Sequence, residues 1–281
     1  MKTYAPCMML APAVGLLLFF VAVPMAQVCY FSVMHYSFFH ENVFAGTDNY
    51  RRLFADSSFW WTLLNSFIYV CVTPVLMVCS LLLALTVRRV RRGAAAFRLL
   101  YCIPVVTPIV IVGIIWRWMF AEETGVVNYC LSLLSLPQVH WLSRYPTNIV
   151  AVMILTVWRG IGYYMMMFLA GLAVIPQEIE DAGRIDGASA YQQTVHILLP
   201  MLKPTLTLIV VVSSTAAIKI FTELYIMIPG APIGNKTLVA LLYRQAFERF
   251  DLGYGSAVGM VLFAVTLVFS YMNIRLMERT A

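Results

Sequence analysis

Charged side chains are scarce in this sequence, and their positions decide what chemistry is open to it. Of 281 residues, 11% are charged and 62% are hydrophobic. Two groups of charges stand out. One lies in the stretch 175–200, IPQEIEDAGRIDGASAYQQTVHILLP, which carries Glu178, Glu180, Asp181, Arg184 and Asp186 between two long apolar runs. The other lies inside the apolar runs: Arg159, flanked by Trp158, Tyr163 and Tyr164, and then Lys219 and Glu223. Neither group is spaced for bond-making. The histidines His35, His40, His140 and His196 do not cluster, and H-E-x-x-H is absent. Cys7, Cys29, Cys71, Cys79, Cys102 and Cys130 form no C-x-x-C pair. No G-x-x-x-x-G-K-[S/T] loop is present to hold a nucleotide. The expectation is a chain that is not an enzyme and has no catalytic residue, metal site or bound cofactor of its own. Ion pairing, docking and passage are what these charges offer.

The elements that position them are membrane spans. A soluble domain usually carries about 25% charged residues, so this chain must turn its surface to lipid. The net charge of +6 is read as topology rather than nucleic-acid binding. A bilayer core of about 30 Å takes roughly 20 apolar residues. Six segments qualify, about 8–34, 60–87, 99–120, 147–174, 201–228 and 256–274. The first is expected to be a retained helix, since its apolar run exceeds the roughly 7–15 residues of a signal-peptide core. Pro12, Pro24, Pro104 and Pro108 are expected to bend their helices. Arg88, Arg89, Arg91, Arg92 and Arg98 crowd one short loop. The positive-inside rule then puts both termini and the 175–200 stretch in the cytoplasm. The expected fold is all-α, a single polytopic domain over 1–281.

Within 175–200 the pattern predicts two short helices. Pro176 suits a first turn, and Glu178, Glu180 and Asp181 favour the positive end of the dipole. Glu180 and Arg184 are spaced as an i,i+4 pair. Ile175, Ile179, Ala182 and Ile185 fall on one face. Gly187 suits a left-handed cap. Ala188, Tyr191, Val195 and Leu198 line one side of the helix that follows. By residue chemistry alone, this is either a docking element or a solvated connection.

Asp181 to Ala188 reads D-A-G-R-I-D-G-A, with Ile197, Leu199 and Pro200 following at fixed spacing and Ile175–Pro176 ahead. This resembles the EAA motif, E-A-A-x-x-D-G-A then I-x-L-P, of permease subunits in binding-protein-dependent ABC importers. The stretches APAVGLLLFFVAVP, GTDNYRRLF and VWRGIGYYMMMFLAGLAVIP are similar to the maltose-permease F-type branch of carbohydrate importers. Asp181 stands where the motif has Glu, beside Glu180, and Gly183 stands where it has Ala.

The resemblance implies a type I ABC importer fold in a bacterial or archaeal plasma membrane. It implies a second permease subunit, two ATPases that bind ATP and Mg, and an extracytoplasmic sugar-binding protein. It implies ATPase docking through Glu178, Glu180, Asp181, Ala182, Asp186, Gly187, Ala188, Ile197, Leu199 and Pro200. The substrate it implies is a sugar or oligosaccharide, with glycerol phosphate as an alternative within the family. An ion-gradient transporter is the alternative outside it, disfavoured by the lack of an internal repeat.

A charge at bilayer depth costs at least about 2.5–3.5 kcal/mol. At a 1.5 Å rise, Arg159 lies about 18 Å from the outer end of its helix, and Lys219 and Glu223 about 14 and 8 Å from theirs. Those depths allow mutual contact, and Lys219 and Glu223 are spaced to share a helix face. Two readings stay open for Trp158, Arg159, Tyr163, Tyr164, Lys219 and Glu223: an internal ion-pair and packing cluster, or the lining of a substrate path.

Overall fold

The computed structural model describes residues 5–36, 42–90 and 92–279, with side chains described between 9 and 275. Lys2, His40, Glu41 and Arg91 lie outside the described residues, as do the side chains of Cys7 and Arg279.

The chain is helical nearly throughout. In order it forms α1 (Ala5–Leu17), a one-turn π segment (Leu18–Ala22), α2 (Val23–Ser32), and a short antiparallel pair, β1 (Met34–His35) and β2 (Val43–Phe44). Next come α3 (Asp48–Ala55), α4 (Ser57–Tyr69), α5 (Val72–Arg89), α6 (Ala94–Val106), α7 (Ile109–Met119) and α8 (Val126–Leu133). The long α9 (Thr147–Ala173) precedes α10 (Gln177–Ile185), α11 (Ala190–Gln193), a π turn (Thr194–Leu198) and α12 (Leu199–Met201). The chain closes with α13 (Lys203–Ile218), α14 (Thr222–Met227), α15 (Leu238–Tyr243), a π turn (Arg244–Glu248) and α16 (Leu252–Arg279).

Among the described residues, four stretches are long and apolar enough to cross a bilayer: Met9–Ser32, Ser57–Arg89, Thr147–Ala173 and Leu252–Arg275. Ser57–Arg89 runs 33 residues across α4 and α5. Two bent pairs bring the count to six if each is one span. Ala94–Val106 meets Ile109–Met119 at 91°, and Ala190–Met201 meets Lys203–Ile218 at 72°. The first bend has a local cause. Pro108 has no N–H to give and disfavours helix at Thr107, and Thr107 ends α6 in extended backbone while its hydroxyl donates to Ile103 O at 2.8 Å.

The core sits around α9, where Ala151, Val152, Leu155, Met165, Phe168 and Leu172 are fully buried. α5 and α6 flank it, and α13 and α14 pack on its other sides. In lipid this burial gains little from the hydrophobic effect, so close packing carries the association. Gly162 shows how close: a Cβ there would stand 1.8 Å from the carbonyl oxygen of Tyr101 on α6. From Met9 to Tyr30 every described side chain is exposed, and Met9–Ser32 is strongly apolar in composition.

At the end bearing α3 and α15, buried polar groups tie loops to spans. Asn65 on α4 donates to Gly234 O at 2.7 Å and Lys236 O at 3.1 Å, and Ser66 Oγ accepts from Leu238 N. Lys236 Nζ donates to Pro229 O at 2.8 Å. Each bond satisfies a group that burial would otherwise leave unpaired.

Two corrections to the sequence reading follow. The apolar run 201–228 is not one helix: α13 ends at Ile218 and α14 restarts at Thr222. The break comes where Thr237 Oγ1 donates to Ile220 O at 2.6 Å, a tertiary bond that replaces a helical one. Lys219 and Glu223 therefore share no helix face.

Candidate functional site

Two sites emerge, one among the spans and one in the 175–200 loop. The first is a cavity of about 230 Å³ walled by α5, α6, α9, α13 and α14. α9 supplies Thr156, Arg159, Gly160, Tyr163 and Tyr164, all within about two and a half turns. Leu76, Val105, Ser213 and Glu223 close the other sides. Arg159 Nη1 on α9 stands 3.5 Å from Glu223 Oε1 on α14, with side chains 32% and 11% exposed. Each charge is thereby offset by the other, which lowers the cost of holding both at this depth. The tyrosine rings of 163 and 164 meet edge-on at 5.2 Å. Thr156 Oγ1 shares a hydrogen bond with Tyr69 OH.

Four of the six residues singled out inside the spans line this cavity: Arg159, Tyr163, Tyr164 and Glu223. Trp158 and Lys219 do not. Trp158 turns toward Trp116, with ring centroids 5.5 Å apart, and Lys219 is exposed in the break. Sequence reasoning passed over Thr156 and Ser213. Thr156 was findable, because it lies one turn before Arg159 on the same face. Ser213 had no local signal, since its hydroxyl answers Ile209 O inside its own helix.

The second site is the loop. Pro176 caps α10 in extended backbone, just ahead of the helix. Gly187 has φ +80°. Its N–H donates to Arg184 O at 3.1 Å, and Ala188 N–H donates to Gly183 O at 2.9 Å. This is a Schellman ending, which satisfies carbonyls that the helix end leaves open. A capping box then starts α11: Gln192 N donates to Ser189 Oγ, and Ser189 N donates to Gln192 Oε1 at 2.8 Å. Gly183, the departure from the motif's Ala, faces Ile197: a Cβ there would stand 2.6 Å from Ile197 Cδ1. The two helices close on each other at that point, which favours the smaller residue.

The charge pairing of the loop corrects another expectation. Arg184 does not pair with Glu180. It reaches Asp181 Oδ1 at 3.0 Å, while Glu180 Oε1 is ion-paired with Arg88 Nη2 at 2.6 Å. The apolar faces also divide. Ile175 and Leu198 are buried and Ile197 and Leu199 half-buried, whereas Ile185 is 86% and Tyr191 74% exposed. Glu178, Asp181, Ala182, Asp186 and Pro200 are exposed, and Ala188 is half-buried. The loop thus presents acids and uncovered apolar side chains together.

At the far end, the 120–146 loop is knit around two residues. Asn128 Nδ2 donates to Glu122 O and Val139 O, and its Oδ1 accepts from Trp141 Nε1. Glu122 takes hydrogen bonds from His140 at 2.8 Å and from the backbone and hydroxyl of Ser143. These bonds, His140 first, hold the Glu122 carboxyl down at about 2. Among the described residues, no group of three or more His, Cys, Asp or Glu side chains gathers as metal ligands would.

Comparison with known proteins accounts for this architecture. The chain is 32% identical to "Probable ABC transporter permease protein YurN" of Bacillus subtilis, over 96% of this chain and 94% of that one. It is 32% identical to "Arabinooligosaccharides transport system permease protein AraP" of the same species, covering 98% and 89%. It is 29% identical to "Trehalose/maltose transport system permease protein MalF" of Thermococcus litoralis, covering 95% and 92%. A solved bacterial ABC transporter involved in the import of the acidic polysaccharide alginate superposes with a TM-score of 0.85, over 99% of this chain and 96% of that one. At 21% identity that likeness carries the fold alone, the type I ABC importer fold. Residues 76–279 match the family described as "Binding-protein-dependent transport system inner membrane component". With that match and with relatives alike over nearly their whole length, the chain belongs to this family of membrane permease subunits.

Proposed function

We propose that this chain forms half of the translocation path of an ATP-driven importer for a carbohydrate, and that it performs no catalysis itself. In this reading a second permease completes the path, two partner ATPases hold ATP and Mg, and an extracytoplasmic binding protein delivers the sugar. The arginine-bearing end is cytoplasmic, and the exposed face of the 175–200 loop docks on an ATPase. The membrane is a bacterial or archaeal plasma membrane.

The observation that carries this reading is the pairing of the two sites on one frame. α9 holds the cavity residues, and the loop that follows it offers Asp181, Ala182, Asp186, Ile185 and Tyr191 uncovered. The relatives' names support a sugar, since trehalose or maltose and arabinooligosaccharides appear in them. The cavity chemistry favours a neutral one. Arg159 is offset by Glu223, Lys219 does not line the wall, and the hydroxyl-bearing residues Thr156, Tyr163, Tyr164 and Ser213 line the same cavity. About 230 Å³ is small beside the roughly 300–1,000 Å³ of complete ligand sites. That suits a half-site finished by a second subunit. Glycerol phosphate would need an unpaired cation, and an ion-gradient carrier would need carboxylates on several spans.

The test is uptake of radiolabelled disaccharides and oligosaccharides by cells carrying or lacking the gene. The expected result is gene-dependent uptake of a neutral sugar that stops on ATP depletion and survives an uncoupler. Uptake abolished by the uncoupler while ATP stays high would refute the reading.

A further inference from the structure

Glu180 and Asp181 are neighbours on α10, yet they serve different surroundings. The Asp181 side chain is 51% exposed, and its ion pair is the local one to Arg184. The Glu180 side chain is 13% exposed, and its Oε1 is 2.6 Å from Arg88 Nη2 in the last turn of α5. Among the described residues, this is the one ion pair that joins α10 to a spanning helix. The contact is an ion pair of opposite charges, and Glu180 Oε1 takes no hydrogen bond in the structure. Each charge also suits its own helix: an acid in the first turn of α10 and a cation in the last turn of α5. The pair sits in the wall of a polar cavity of about 410 Å³, together with Arg89, Gln177, Gln193 and Thr194.

α5 leads from this contact to the cavity in the spans. Its residues Val72 and Leu76 line that cavity, and α5 packs along α9, which carries Arg159. A continuous helix transmits an axial or tilting displacement far better than a loop does. We propose that the Glu180–Arg88 pair is a latch that hands movement of α10 to α5. Glu180 is then a positioning residue, and Asp181 is the acid left facing the partner. This rests on the reading of α10 as the ATPase-docking helix.

The complex is isolated through a tagged copy of this chain and reconstituted in nanodiscs. An Ala216→Cys substitution on the cavity wall reports the state of the spans. Its N-ethylmaleimide labelling is followed by mass spectrometry of its own peptide, with and without Mg–ATP. The parent responds to Mg–ATP. Glu180→Gln and Arg88→Gln each shrink that response about tenfold, while the ATPase stays bound and ATP is still hydrolysed. The double variant is no worse than either single one, because both remove the same contact. Asp181→Asn instead loses the ATPase during purification. A Glu180→Gln complex that loses its ATPase as Asp181→Asn does makes Glu180 a partner contact and overturns the latch. So does an undiminished response in both single variants. A parent that retains no ATPase or gives no ATP response removes the docking reading itself, a result distinct from losing the latch alone.

Discussion

Gly162→Ala is expected to wreck the cavity although it adds one methyl group outside it. The added Cβ would stand 1.8 Å from Tyr101 O and 2.5 Å from Tyr101 C, both backbone atoms. No rotamer change relieves a clash with backbone. To restore an ordinary contact, α6 and α9 must part by about 1.5 Å. Overpacking of a tight interior costs typically 1–3 kcal/mol, and an overlap of a Cβ with unyielding backbone falls at about 3 kcal/mol or beyond. Gly162 lies one turn beyond Arg159, so the displaced segment carries the arginine away from Glu223. Two internal controls grade the effect. At Gly160 the nearest atom to a new Cβ is Leu76 Cδ2 at 3.0 Å, the end of a flexible side chain, and at Gly15 nothing lies within 4 Å. The assay is the melting temperature of the intact complex by fluorescence-detected size exclusion, with sugar uptake beside it. Gly162→Ala should melt far below Gly160→Ala and lose uptake, and Gly15→Ala should match the parent. Equal melting of Gly162→Ala and Gly160→Ala would refute the close approach on which the argument stands.

Glu223→Gln leaves Arg159 without its counter-charge, and uptake should fall at least about tenfold while the complex still assembles. Unchanged uptake with intact assembly would take Glu223 out of the path. Gly187→Pro removes the N–H donated to Arg184 O and forces a negative φ where the structure has +80°. ATPase co-purification should drop sharply while membrane insertion is kept, and retention at the parent level would count against docking through this loop. Glu122 has its carboxyl lowered from 4.5 to about 2. A depressed acid contributes stability above its unfolded value and loses it as pH falls from about 4.5 through 2. The protection of amides in residues 120–146, taken relative to the intrinsic exchange rate at each pH, should therefore fall across that window, and Glu122→Gln should flatten its pH dependence. A parent profile equally flat would exclude the Glu122 cluster as the tether.

Much of the frame was legible because lipid imposes coarse rules. A near absence of charge over about 20 residues marks a span whatever its neighbours are. Gly187 announced the turn because only a residue free of Cβ strain sits easily at its φ. Depth along the helix brought Arg159 and Glu223 within reach of each other before any contact was known. The break at Lys219–Phe221 was illegible: no glycine or proline marks it, and its cause is a hydroxyl on Thr237, a residue on the far side of the loop. Spacing rules fail for the same reason at Glu180. They see Arg184 four residues on, whereas the partner that wins is Arg88, on another helix. Ile185 and Tyr191 read as members of two apolar faces, and periodicity reports a face without saying what covers it.

The second span deserves a last physical consequence. Its 33 residues reach about 50 Å at 1.5 Å per residue, against a hydrocarbon core of about 30 Å. Such a helix must lean or project, and its lean follows the thickness of the bilayer. Arg88 sits at one extremity and Val72 near the middle, so lengthening or shortening the lipid chains swings the arginine relative to the core. Transport by this protein in sealed vesicles should accordingly vary with acyl-chain length.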